Sequence, residues 1–257
     1  MDLRTLPLFA VLIASPWSAR AQEATAGPWG GFHAGVLLGP CLGSGNTTVA
    51  NGTDDRSQVF WNPAFDNGRL RTEYTRLMVG PVFGVQGGYD RRMGNFVVGG
   101  SLALMRSAAK AEEHHLLSGT SLWSSVSEER EQRLTFLALM RARAGVVIKT
   151  HWLAYGGPGL SFGAVRYEYD MDSPGSSDYH DVDEGRVAVG WNLSVGLERH
   201  IWKQLSAHVE YAFNGMGKRT YATEASGRSA NLDTHFDVTF RDHYHTVLLG
   251  ARWYFPM

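Results

Sequence analysis

Eight segments with alternating apolar residues, at 29–39, 77–90, 95–106, 132–148, 152–168, 186–198, 203–214 and 243–255, are joined by connections of strictly alternating length. The long connections cover 40–76, 107–131, 169–185 and 215–242, and the short ones cover 91–94, 149–151 and 199–202. Such a rhythm puts every tight turn at one end of a sheet and every long loop at the other. An eight-stranded antiparallel up-and-down transmembrane β-barrel has this layout, with its tight turns at the periplasmic rim of the bacterial outer membrane. A soluble sandwich has no reason to segregate its loops. The expected fold is therefore all-β, and the 40–76 connection has room for one further hairpin, which would give ten strands.

The alternation holds residue by residue. Leu205, Ala207, Val209, Tyr211 and Phe213 share one face of the seventh segment, opposite Gln204, Ser206, His208, Glu210 and Asn214. In the last segment Val247, Leu249, Ala251, Trp253 and Phe255 oppose Arg252. Phe136, Ala138, Met140, Ala142, Ala144 and Val146 oppose Thr135, Arg141 and Arg143 in the fourth. A period of two, apolar against polar, is what a wall between lipid and an aqueous lumen demands.

Hydrophobic residues make up 44% of the chain, yet no run after the N-terminus reaches the ~20 apolar residues of a spanning helix. A membrane reading must rest on strands. The formal net charge of −1 gives no reason to expect a nucleic-acid partner. The lone Cys41 cannot form an internal disulfide, so the fold must hold without one.

Residues 1–21 read as a secretory signal peptide. Arg4 is the charged n-region, Leu6 to Ala14 the apolar stretch, and Ala19-Arg20-Ala21 a small-x-small cleavage site. Cleavage after Ala21 would leave 22–257 as the outer-membrane β-barrel domain.

Two groups of residues follow from this frame. Trp29, Tyr89, Phe96, Trp152, Trp202 and Phe255 all fall beside the chain start, a short turn or the chain end, so one rim would carry an interface belt of aromatics. Arg141, Arg143, Glu198, Glu210 and Arg252 share the polar phase of their strands. On the lipid face each Arg would cost roughly 2–4 kcal/mol near the midplane, so they belong inside. With Gln86, Ser101, Asn192, Ser194, Ser206 and His208 they would form a polar, charge-paired lumen network, because an isolated buried ion is far too costly.

Several stretches carry a family resemblance: Trp29-Gly-Gly-Phe-His-Ala-Gly, Gly84-Val-Gln-Gly-Gly-Tyr-Asp, Arg141-Ala-Arg-Ala-Gly, Tyr155-Gly-Gly-Pro-Gly-Leu-Ser-Phe-Gly and Gly190-Trp-Asn-Leu-Ser-Val-Gly-Leu-Glu. With His208-Val-Glu-Tyr and the ending His245-Thr-Val-Leu-Leu-Gly-Ala-Arg-Trp-Tyr-Phe, the chain resembles the small outer-membrane β-barrel surface antigens and porin-like proteins of Gram-negative bacteria, of the OmpA type. The resemblance implies an outer-membrane location, a structural and surface-display role, and contacts with outer-membrane lipids, lipopolysaccharide and the barrel-assembly machinery. It also implies a terminal aromatic as the assembly signal; here Pro256 and Met257 follow Phe255.

Other chemistry is thinly supported. His114, His115, His180, His235, His243 and His245 lack tight zinc spacing with Cys partners, and the acidic stretch 170–184 has Pro174 where a calcium loop needs a ligand. No cofactor or metal site is expected. Ser206 beside His208 is lumen filling, and no hydrolase motif appears. The expectation is a non-enzymatic barrel, with a narrow porin for small solutes or ions as the alternative and an outer-membrane lipid-modifying enzyme third.

Overall fold

The computed structural model describes residues 29–50, 52, 62, 66, 73–117, 126–149, 151–173, 178–227 and 237–255. The expected signal peptide lies outside the described residues, as does most of the connection that had room for an extra hairpin. Eight long strands close a ring: β1 (Gly31–Val49), β2 (Glu73–Met93), β3 (Phe96–Leu117), β4 (Val126–Ile148), β5 (Trp152–Ser173), β6 (Asp178–Trp202), β7 (Leu205–Ala222) and β9 (Asp237–Tyr254). Each pairs antiparallel with its neighbours, and β1 pairs with β9 to close the cylinder. A four-residue strand, β8 (Glu224–Gly227), pairs with the outer end of β6.

Of the short turns, the one at 149–151 falls where it is expected, while those at 94–95 and 203–204 lie a few residues beyond the expected 91–94 and 199–202. Gly94 has φ 63°, and Lys149 and Lys203 take φ of 49° and 33° at the other two. The long connections are much shorter than expected. The ring strands run 18 to 25 residues, whereas ~9–11 tilted residues cross a bilayer. The acidic stretch expected as a loop is largely strand, with Glu168 facing Asp183 and Asp170 facing Asp181 across β5 and β6.

The outer wall explains this extension. Phe32, Val36, Leu38 and Leu42 on β1, and Leu77, Val79, Phe83 and Val85 on β2, are exposed apolar side chains of one band. Above it the outward residues turn polar while the ladders continue. There Lys110 pairs with Glu131 at 3.0 Å, Arg133 with Glu131 at 2.5 Å, and Arg166 with Asp183 at 2.8 Å. Exposed pairs like these contribute ~0–1 kcal/mol. Asp183→Asn should accordingly change the unfolding free energy by less than about 1 kcal/mol, read from urea titration of the refolded barrel.

Among the described residues, bulges interrupt the ladders at four places. One sets Leu134 and Phe136 around Thr135, whose hydroxyl donates to the Ala164 carbonyl at 3.1 Å instead of entering the lumen. Another lies between Gly215 and Gly217, where φ is 78° at Gly217. Pairing of β6 with β7 ends at Trp191 and Gly215, just below that bulge.

The interior is layered. A charged storey sits at the short-turn end. Above it lies an apolar storey containing Leu37, Cys41, Met78, Met105, Leu137, Leu139 and Leu248, all buried. Nearer the long-loop end come Tyr167, Tyr244 and Phe240, with Asp242 accepting from Tyr167 and Gln132. The sequence reading expected a wet, polar lumen. The polar phase is interrupted above the first storey, where large apolar side chains fill many inward positions, and polar side chains such as Gln132 and Asp242 return nearer the long-loop end.

Candidate functional site

Alternation decides which side chains meet at the short-turn end. Gln86 and Asp90 come from β2, Arg141 and Arg143 from β4, Tyr155 from β5 and Glu198 from β6. Ser206, His208 and Glu210 come from β7, and Arg252 and Tyr254 from β9. Each lies on the inward phase of its strand, and all are buried. Three arginines and three carboxylates occupy one low-dielectric space, so the cluster is charge-balanced.

Glu198 is the hub. Its Oε2 accepts from Arg143 and from Arg252, and its Oε1 from Ser206, with the Tyr254 hydroxyl 3.0 Å away. Arg143 also donates to Asp90, and Arg141 to Glu210. Arg252 reaches the Gln86 carbonyl oxygen at 3.2 Å, and Gln86 in turn meets His208 Nε2 at 3.2 Å. Tyr155 donates to Glu210 at 2.9 Å while its ring lies 4.1 Å beneath the Arg143 guanidinium. Charge-assisted bonds of this kind are the strong ones, and each carboxylate is met by more than one donor. The arrangement is a cross-brace: it ties β2, β4, β5, β6, β7 and β9 through the lumen.

The structure thus brings Gln86, Arg141, Arg143, Glu198, His208, Glu210 and Arg252 into one cluster. Sequence reasoning missed Asp90, Tyr155 and Tyr254. Asp90 has the same parity as Gln86, but it is the last residue of the expected segment 77–90, where alternation has no further residue to support an inward assignment. Tyr155 and Tyr254 share parity with their inward neighbours and were passed over because tyrosine suits the lipid interface equally well.

The aromatics divide. Trp202 is 65% exposed, Phe96, Phe255 and Tyr89 are exposed, and Trp152 is half-buried with Arg199 5.3 Å from its ring. Trp29 departs from the expected belt: it is fully buried. Its backbone takes φ 86°, which turns the ring inward against His200 at 5.7 Å and Tyr254 at 6.2 Å. It caps the charged storey instead of anchoring the rim. A left-handed backbone at a bulky residue carries no signal in the sequence.

Of the histidines read as possible ligands, His114 lies 3.6 Å from Glu129 on the outside. His243 and His245 sit on the outer wall, 6.0 Å apart between ring centroids. The side chains of His115 and His180, and all of His235, lie outside the described residues. Among the described residues no group of three or more His, Cys, Asp or Glu side chains is placed to hold a metal ion.

The sequence matches the outer membrane protein beta-barrel domain family over residues 8–255. Two relatives, each named 31 kDa outer-membrane immunogenic protein, come from Brucella melitensis and Brucella suis. Each is 23% identical over 245 residues, covering 95% of this chain and 91% of the relative. Among solved structures, the outer membrane protease OmpT of Escherichia coli is similar with a TM-score of 0.49 at 8% identity, covering 87% of this chain and 96% of its own. OprG of Pseudomonas aeruginosa is similar with a TM-score of 0.45 at 10% identity, covering 89% and 99%. The chain belongs to the outer membrane protein beta-barrel domain family and is a β-barrel protein of the bacterial outer membrane.

Proposed function

We propose that this protein is a sealed, non-enzymatic outer-membrane barrel that anchors the envelope structurally and displays its long-loop end outside the cell. The observation that carries this reading is the filled lumen. Trp29, the arginine–carboxylate storey and the apolar storey of Leu37, Met105, Leu137 and Leu248 succeed one another along the axis, all buried. An eight-stranded barrel has an interior that side chains can fill, and here they do. The immunogenic naming of the Brucella relatives fits surface display, and lipopolysaccharide is the natural neighbour of the outer wall. Phe255 points outward at the end of β9, where the barrel-assembly machinery would read a terminal aromatic.

The candidate nucleophile–base pair supports no catalysis. Ser206 donates to Glu198, and His208 meets Gln86, both inside the brace. Planar-bilayer recording tests the sealed reading against the narrow porin. The folded protein should give no stable steps, and reproducible conductance from single insertions would replace an anchor with a porin. Protease or biotin accessibility of the long-loop end on intact cells tests the orientation independently.

A further inference from the structure

The outer wall above the apolar band is not uniform. Arg106, lower on β3, is exposed without an ion pair among the described residues, but the facing cations of the row across β3 to β5 are neutralised, with Lys110, Arg133 and Arg166 each paired to a carboxylate of the next row. Across β7, β9 and β1 they are not. Lys218 faces Arg241 directly in the β7–β9 register, and Asn46 faces Arg241 on the other side. Lys218 and Arg241 are both exposed, and among the described residues neither has an acidic partner within 4 Å. Like charges placed directly opposite destabilise a sheet unless something between them is anionic. Asp237, on the same strand as Arg241, stands four residues higher, or roughly 13 Å at strand rise.

Height is what gives the pair meaning. From Phe255 to His245, β9 climbs about 25 Å along the membrane normal at ~3.3 Å per residue and ~40° tilt, the height of a barrel's apolar band. Over that span its outward residues are Phe255, Trp253, Ala251, Leu249 and Val247. At the top edge His245 accepts or donates a 2.6 Å hydrogen bond with Tyr211 and packs 5.1 Å from Phe213, itself 5.0 Å from Trp191. That aromatic girdle marks the headgroup boundary. His243 follows, then Arg241 with Lys218 beside it. The cations therefore stand where the phosphates of outer-leaflet lipids stand.

We propose that Arg241 and Lys218, with Asn46 beside them, form an outer-wall site for the phosphate of a lipid in the outer leaflet, specifically the phosphorylated sugar headgroup of lipid A. Arg241 presents a planar fork to phosphate oxygens, Lys218 supplies a point charge, and the Asn46 amide offers a neutral donor. The lipid's acyl chains would lie along Leu249, Val247 and Phe213. The site rests on the reading that the long-loop end is external, which cell-surface accessibility tests separately.

The experiment titrates the folded, detergent-solubilised protein with bisphosphorylated lipid A and counts bound lipid by native mass spectrometry. R241Q/K218Q should lose roughly 30-fold in affinity, since each surface Lys or Arg is worth about one factor of five toward anionic lipid. K110Q/R133Q, on the neutralised wall, should bind as the unmodified protein does. The unmodified protein should bind monophosphoryl lipid A less tightly than the bisphosphorylated form, an arm that requires no variant to fold. Unchanged binding by R241Q/K218Q, an equal loss in K110Q/R133Q, or equal affinity for phosphatidylglycerol would overturn the site.

Discussion

Replacing Glu198 with glutamine should lower the stability of the folded barrel by about 3–5 kcal/mol, the usual cost of removing one member of a buried ion cluster. Glutamine keeps the shape and one acceptor but removes the charge that Arg143 and Arg252 share on a single oxygen. The lumen is then left with one uncompensated cation in a space closed by Trp29 on one side and the apolar storey on the other. Urea titration of the protein refolded in vesicles, scored by the gel mobility difference between folded and boiled chain, measures the loss. Glu198→Gln combined with Arg252→Gln restores neutrality, so the pair should cost less than the two single losses added. A single-variant loss under 1 kcal/mol would mean that water reaches the brace and screens it. The charge pairing would then be geometry without energy.

The brace was legible because membrane crossing enforces a strict code. A charge on the lipid face is so costly that parity alone places Arg141, Arg143, Glu198, Glu210 and Arg252 inside. The partners within the brace were not legible, since an inward carboxylate on one strand can reach arginines on several others. Strand ends were lost for a related reason. Above the band both faces of the wall meet water or polar side chains, so Lys110–Glu113 and Asp181–Glu184 continue the ladder without any apolar period. Reading strands from hydrophobicity finds the membrane, and stops where the membrane stops. The apolar storey escaped because Leu137 and Leu139, placed between outward Phe136, Ala138 and Met140, make an unbroken apolar run in which neither face stands out.

Adding a methyl group at Gly35 and Gly39 together should prevent the cylinder from closing. Both glycines lie on β1, and a Cβ at either would fall well inside contact distance of a β9 backbone carbonyl, that of Ala251 for Gly35 and that of Val247 for Gly39. The obstruction is backbone, so no side-chain rotation relieves it. The β1–β9 ladder is also thin there: it passes from Leu38 facing Leu249 to Cys41 facing Thr246, and Pro40 between them has no N–H to donate. Overpacking at each site costs about 1–3 kcal/mol in a well-packed protein. At this seam the consequence is larger than the sum, because the two strands come from opposite ends of the chain and their pairing is what removes the last open edge. An unpaired edge in hydrocarbon leaves a row of N–H and C=O groups with nothing to bond. G35A/G39A should therefore leave little heat-modifiable, folded protein after refolding. Gly100→Ala, whose added Cβ would stand 3.5 Å from the Arg141 carbonyl oxygen, should fold like the unmodified chain. Equal folded yields from the two would mean that β1 and β9 have room to separate, and that closure depends on the lumen brace rather than on close backbone approach at the seam.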